Sequence, residues 1–191
     1  MRLFKHAQAE LAVSSGLALV CWLAFAIGWP TGLRLWIWAA LVHGTQAMLG
    51  GLIWHFKQAG RAALAQAPRW LQGYLAVILL SGVAWGLAPW FLLSDLPFLP
   101  TPYPALALVL LLLALAAAGA HTAATHRWAI YLWLLPLLAP LVVFMLNVGT
   151  LDAVIVAALV LAFLAACVFF AHARHRLLMK ELQTKLDNDA L

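Results

Sequence analysis

The sequence predicts an all-α membrane protein, a polytopic helix bundle with about six transmembrane helices, the last of which extends into the cytoplasm. Hydrophobic residues make up 66% of the 191 positions and charged residues only 9%. The mean hydropathy is +1.00. A soluble domain is close to half apolar and a quarter charged, and a chain of this size would still expose roughly a third of its surface to water. Lipid is therefore the solvent that this composition fits.

Six apolar runs are each long enough, at about 20 residues, to cross the hydrocarbon core of a bilayer as a helix. The breaks between them carry proline, glycine and polar residues, and they are short enough to make consecutive helices antiparallel neighbours. No convincing cleavage site follows the first run, so we expect it to remain in the membrane as the first helix. The six runs are residues 11–29, 33–56, 70–93, 103–120, 128–146 and 151–171.

The positive charges predict the orientation of these spans. Ten of the 11 Lys and Arg residues fall on one side of the predicted membrane, and only Arg34 falls on the other. Cytoplasmic loops of membrane proteins carry such an excess. An even number of spans then places both termini in the cytoplasm. The ten residues are Arg2, Lys5, Lys57, Arg61, Arg69, Arg127, Arg174, Arg176, Lys180 and Lys185.

Several functional classes are disfavoured by the composition. The net charge of +5 is scattered between apolar runs and forms no basic stripe, so no nucleic-acid partner is expected. Cys21 and Cys167 lie inside apolar runs and do not form a disulfide framework. The sequence contains no phosphate-binding loop, HExxH, GxSxG or acidic metal motif. We therefore predict no catalytic residue, no metal site and no enzyme activity within this chain.

The chain changes character after residue 171, which divides it into a six-span domain, 1–171, and a polar segment, 172–191. This segment reads HARHRLLMKELQTKLDNDAL and contains no helix breaker, so the last helix is expected to continue into it. Met179, Leu182 and Leu186 follow the three-then-four spacing of a coiled-coil seam. They predict a cytoplasmic linker that pairs with its copy in a homodimer. The alternative is a short amphipathic helix on the membrane surface.

Polar side chains inside a bilayer are costly, so each is a candidate site. His43 is the most central, and Gln46, three residues on, lies on the same face of the second predicted helix. One interpretation is a site at which His43 and Gln46, with Ser81 of the third helix, bind a ligand or a proton. The other is a neutral His43 that forms a hydrogen bond to a hydroxyl such as that of Ser81.

Two further interpretations come from the histidines. Bis-histidine haem ligation needs two imidazoles at one depth on facing helices, and no second central histidine matches His43. Near the inner face, His55 with His121 or His126 leaves a haem-binding redox sensor or electron carrier as an alternative. A small transporter subunit that uses His43 and the proline-kinked fifth run is the other alternative.

Three stretches together resemble a known group of proteins. Residues 82–92 read GVAWGLAPWFL, residues 119–146 read GAHTAATHRWAIYLWLLPLLAPLVVFML, and the chain ends in LQTKLDNDAL. This pattern resembles the N-terminal multi-span sensor or anchor region of bacterial signalling proteins of the histidine kinase or diguanylate cyclase type. The resemblance implies a homodimer in the bacterial inner membrane that passes a signal to a cytoplasmic output domain in cis. The resemblance carries over no ligand-binding residue, and apart from the haem alternative we expect no cofactor.

Overall fold

The computed structural model describes residues 2–28, 32–60, 66–93, 103–123 and 126–189. These residues form six long helices, one short helix and the turns beside them, with no strand among them. This confirms the all-α class. The helices are α1 (Arg2–Gly28), α2 (Gly32–Ala59), α3 (Ala67–Gly86), α4 (Ala88–Leu92), α5 (Tyr103–Ala123), α6 (Arg127–Val148) and α7 (Leu151–Asp189).

Three segments are long and apolar enough to cross a membrane: Ala67–Leu92, Arg127–Val148 and Leu151–Glu181. Two shorter apolar helical stretches, Ser14–Ile27 and Pro104–Ala120, lie in α1 and α5 within the part of the chain that the structure describes. The helix α2 has 28 residues but is not among the three long apolar segments. The polar residues in its middle lower its mean hydropathy.

The third predicted span is interrupted where the sequence analysis expected one helix. The helix α3 ends at Gly86, and Leu87 caps the short helix α4. Pro89 lies in the first turn of α4 and lacks the N–H that would continue the hydrogen-bond ladder of α3. The backbone N–H of Leu87 still donates to the carbonyl of Val83, at 3.0 Å. The two helices therefore follow one another as a single apolar segment with a local break.

The helix α6 is the centre of the packing. It contacts α3, α4, α5 and α7, and its contact with α3 is the most extensive between any two helices. Its buried side chains cover one broad face of the helix, and the opposite face is exposed at Trp128, Leu135, Val143 and Leu146. The helix α2 packs on α1, α3 and α4, so α3 joins the two groups of helices.

Two glycines of α3 lie against α6 around Pro136, and one of them meets a carbonyl that a proline leaves without its usual partner. Pro136 and Pro140 have no N–H, so the carbonyls four residues earlier, of Leu132 and Pro136, receive no helical hydrogen bond from them. A Cβ at Gly86 would overlap the carbonyl oxygen of Pro136. A Cβ at Gly82 would lie 2.9 Å from the ring Cγ of Pro136, 2.9 Å from the carbonyl oxygen of Trp133 and 3.4 Å from that of Leu132. Gly86 therefore meets the unpaired carbonyl of Pro136, whereas Gly82 packs mainly on the proline ring and on the carbonyl of Trp133.

The turn between α6 and α7 has the expected chemistry. Gly149 closes α6 in the left-handed conformation, with φ of 73°. The hydroxyl of Thr150 accepts a hydrogen bond from the backbone N–H of Ala153 and so caps α7. The helix α7 then runs without interruption for 39 residues. The expected continuation of the last predicted span as a helix beyond residue 171 is confirmed.

Candidate functional site

A hydrogen-bonded network of polar side chains connects α1, α2 and α3 inside the bundle. Gln46 of α2 is its centre and is only 7% exposed. Its amide nitrogen donates to the hydroxyl of Ser14 at 3.1 Å, and its amide oxygen accepts from the hydroxyl of Ser15 at 3.1 Å. The indole N–H of Trp85, on α3, donates to the same Ser14 oxygen at 3.3 Å. Three helices therefore share one set of hydrogen bonds.

His43 lies at the edge of this network. Its Nδ1 is 3.0 Å from the amide oxygen of Gln46, one turn further along α2. Because an amide oxygen only accepts, Nδ1 carries the ring hydrogen in this arrangement and Nε2 of the neutral ring is the acceptor. The side chain of His43 is exposed on the outer surface of the helix bundle. His43 thus connects the buried network to that surface.

The structure brings together His43 and Gln46, as the sequence indicated. Ser81 is half-buried on α3, and the hydrogen bonds of His43 and Gln46 run to each other and to the two serines of α1. The cross-helix hydroxyls in this network come from α1, not from the Ser81 that the sequence analysis favoured. Sequence reasoning missed Trp85, whose indole N–H is the contribution of α3.

The indole of Trp38 adds a second polar connection between α2 and α3. Its N–H donates to the backbone carbonyl of Ala84 at 3.1 Å. Its ring meets that of Trp85 edge to face, with centroids 5.3 Å apart. Both tryptophans are fully buried. A ring pair in this geometry adds about 0.5–1.5 kcal/mol beyond the burial of its surface.

The network has no carboxylate and no cation among the described residues that form it. Its groups can accept or relay a hydrogen bond, and His43 can accept a proton at Nε2. The network can therefore position the three helices and can respond to a proton or a polar ligand that reaches His43. The role of His43 in binding a ligand stays a prediction.

A second group of polar residues lies where α6 begins and α7 leaves the bundle. The hydroxyl of Tyr131 and Nε2 of His172 are 2.7 Å apart. The buried Nδ1 of His126 has no hydrogen-bond partner among the described residues. His126 lies close enough to His175 for the charge of one ring to oppose charging of the other.

The histidines considered for haem are spread over different helices. His55 is exposed on α2, where its ring meets that of Trp54 with centroids 4.7 Å apart. His126 precedes α6 and lies near His175 of α7. The side chain of His121 falls outside the described residues. Within the described part of the chain, no group of three or more His, Cys, Asp or Glu residues is placed to hold a metal ion. Haem binding stays a prediction.

The pair His126 and His175 predicts a pH dependence of stability. Burial, and secondly the charge of His175, lower the pKa of His126 below its ordinary value of 6.5. At a pH between the lowered pKa of folded His126 and the ordinary pKa of 6.5, the unfolded chain therefore binds more protons than the folded one. We expect the thermal midpoint to fall as the pH drops below about 6.5, and to level off below the folded pKa.

His126→Gln should flatten this pH dependence, measured as the difference between the thermal midpoints at about pH 8 and pH 5. His55→Gln, on the exposed surface of α2, is the matched control for the loss of one imidazole. If the pH dependence of the thermal midpoint is unchanged in His126→Gln, then His126 is not its source.

No known protein family, characterised protein or solved structure matches the chain.

Proposed function

We propose that the chain is the membrane-embedded sensory or anchor module of a bacterial signal-transduction protein, and that α7 transmits the signal to a cytoplasmic output domain. The observation that carries this proposal is the length of α7. Its 39 residues span about 58 Å at about 1.5 Å per residue. The hydrocarbon core of a bilayer is only about 30 Å thick. A large part of this single helix must lie outside the core.

The pattern of burial along α7 supports the same division. Ala153, Ala157, Val160 and Ala171 are buried against the bundle. Beyond Ala171, none of the described side chains of α7 is buried. Met179 is 52% exposed although it is apolar. An exposed apolar side chain on a projecting helix is stabilised when another apolar surface covers it. In a parallel homodimer, the same residue of the second copy lies opposite and provides that surface.

In this proposal all six long helices cross the inner membrane, with both termini in the cytoplasm. The distribution of Lys and Arg supports this topology, because the predicted cytoplasmic loops and terminal segments together hold ten of the 11 basic residues. The polar middle of α2 is compatible with a crossing because Gln46 forms hydrogen bonds to α1. A membrane helix with its polar groups satisfied by neighbours loses much of the cost of burying them.

The packing supplies a route by which a signal would reach α7. The network at Gln46 joins α1, α2 and α3, while α3 packs on α6 and α6 packs on α7. A stimulus that favours one of two packings of these helices would shift or rotate α7. The register of the paired linker would change with it. The stimulus is a ligand, a proton or a property of the membrane. It must stabilise one of the two packings more than the other.

Cysteine crosslinking tests the proposal. In a chain with Cys21→Ala and Cys167→Ala, single cysteines at Met179, Leu182 and Leu186 are expected to form disulfides between subunits in native membranes. Heptad spacing places these three positions on one face. Cysteines at Lys180 and Gln183, both exposed, are the matched controls and should crosslink poorly.

Equal crosslinking at all five positions, or none at any, would reject the dimeric linker. The haem and transporter interpretations would then take precedence. A Soret band in the absorption spectrum of the purified protein would select the haem interpretation.

A further inference from the structure

A long open groove runs between α6 and α7 and has a cationic end and an apolar wall. Its volume is about 910 Å³. Arg127, His172, His175 and Arg176 line one end of it. The apolar wall extends along α7 as far back as Leu161. No acidic side chain lines the groove among the described residues.

The cationic end presents several hydrogen-bond donors to an anion. Arg127 and Arg176 are exposed, and guanidinium groups bind phosphate oxygens through paired, charge-assisted hydrogen bonds. His172 is held in place by the hydroxyl of Tyr131, at 2.7 Å from its Nε2. When Tyr131 donates to this nitrogen, the ring hydrogen of the neutral imidazole lies on Nδ1, which is then a further donor. The end of the groove is therefore suited to a phosphate group.

The apolar wall has the dimensions of a hydrocarbon chain. Leu161, Leu164 and Val168 follow one another along α7, and Leu135 faces them from α6. His172 follows Leu161 by 11 positions, which correspond to about 16 Å of helix. A free phosphate or a short soluble anion would leave this wall uncovered. An anion with an attached acyl chain would cover it.

The geometry points to a binding site for one anionic phospholipid in this groove. Its phosphate lies between Arg127 and Arg176, and one acyl chain runs along α7 toward Leu161. Charge complementarity selects an anionic headgroup over a zwitterionic one, and basic recesses between helices at the cytoplasmic side are suited to such lipids. Trp128 lies beside Arg127 and is 62% exposed. Tryptophan is common at the level of the lipid headgroups, so its position agrees with a headgroup at Arg127. This inference depends on the membrane placement proposed above, but not on the output domain.

Native mass spectrometry of the full chain tests the site. The protein is released from mixed micelles that contain phosphatidylglycerol and phosphatidylcholine with identical acyl chains. We expect the wild-type chain to retain phosphatidylglycerol preferentially. The double variant Arg127→Gln, Arg176→Gln should retain about tenfold less of it, which corresponds to about 1.4 kcal/mol.

The matched control is Lys57→Gln, Arg69→Gln, which removes the same charge from exposed positions outside the groove on α2 and α3. It should retain phosphatidylglycerol as the wild type does. An equal loss in both double variants would overturn the site, because general charge attraction would then explain the binding. Absence of any preference between the two lipids in the wild type would also overturn it.

A third variant tests the acyl chain independently of the arginines. Ala165 is exposed on the wall of the groove, so Ala165→Phe narrows the groove without removing a charge. It should lower lipid retention while the thermal midpoint stays close to that of the wild type. Retention that is insensitive to Ala165→Phe, or that soluble glycerol phosphate abolishes, would identify a simple anion site and reject the phospholipid. Because this variant keeps both arginines, the test remains decisive even if their double variant does not fold.

Discussion

Gly86→Ala is expected to lower the free energy of unfolding by about 3 kcal/mol or more. The added Cβ would overlap the carbonyl oxygen of Pro136, and its next nearest neighbours are also backbone atoms of α6. Backbone atoms cannot rotate away as the end of a flexible side chain can. The two helices would have to separate along their whole contact, and overpacking in a rigid contact typically costs about 1–3 kcal/mol.

The expected cost is at the upper end of this range because α3 and α6 form the most extensive helix contact in the described part of the chain. The carbonyl of Pro136 also receives no hydrogen bond from Pro140 within α6. A glycine allows the Cα–H group to approach such an oxygen and form a weak hydrogen bond. Alanine would remove this contact as well as introduce the overlap.

Gly44→Ala is the matched control. Gly44 lies in the middle of α2, and a Cβ there would meet no atom within 4 Å. Alanine is favoured over glycine in a helix by about 1 kcal/mol, so this variant should be neutral or slightly more stable. Both are measured by unfolding of the detergent-solubilised protein, followed by circular dichroism. Equal stability of Gly86→Ala and Gly44→Ala would show that α3 and α6 do not approach as closely as the structure indicates.

The positions of the helices were predictable from the sequence because long apolar runs favour helices, and the proline, glycine and polar residues between the runs mark where the helices end. Each of the six predicted runs overlaps one long helix. The break at Leu87 was not predicted, because the span was defined by its apolar composition, which continues through Pro89. The missing N–H of Pro89 is the sequence signal that could have located the break. The long seventh helix was predicted, because the segment after residue 171 contains no helix breaker.

The sequence did not show which helices pack against one another or which residues meet between them. In a soluble bundle the apolar stripe of a helix marks its buried face, but in an apolar bundle every face is apolar. The pairing of Ser14 with Gln46 therefore had no periodic signal. The atoms that Gly82 and Gly86 approach could be identified only once the backbone of α6 was placed. The polar residues marked a candidate network, and only the fold showed which of them meet.

The arrangement around Gln46 leads to the second large effect, a loss of about 2 kcal/mol of unfolding free energy in Gln46→Leu. Leucine fills similar space and removes the hydrogen bonds to Ser14, Ser15 and His43. Hydrogen bonds between membrane helices contribute about 0.6 kcal/mol on average and up to about 1.7 kcal/mol. Two such bonds to α1, together with the bond from His43 within α2, account for the expected loss.

Thr45→Val is the matched control for this prediction, because the hydroxyl of Thr45 donates to the carbonyl of Val42 in its own helix, at 2.8 Å, and to no other helix among the described residues. It should change stability by less than about 0.5 kcal/mol. Ser14→Ala removes the hydrogen bond to Gln46 from the side of α1. The double variant should therefore lose less unfolding free energy than the sum of the losses in Ser14→Ala and Gln46→Leu. Strict additivity would mean that the two residues do not share a hydrogen bond. A cost of Gln46→Leu no greater than that of Thr45→Val would mean that the network does not hold α1 against α2. The proposed route from the Gln46 network to α7 would then lose its first step.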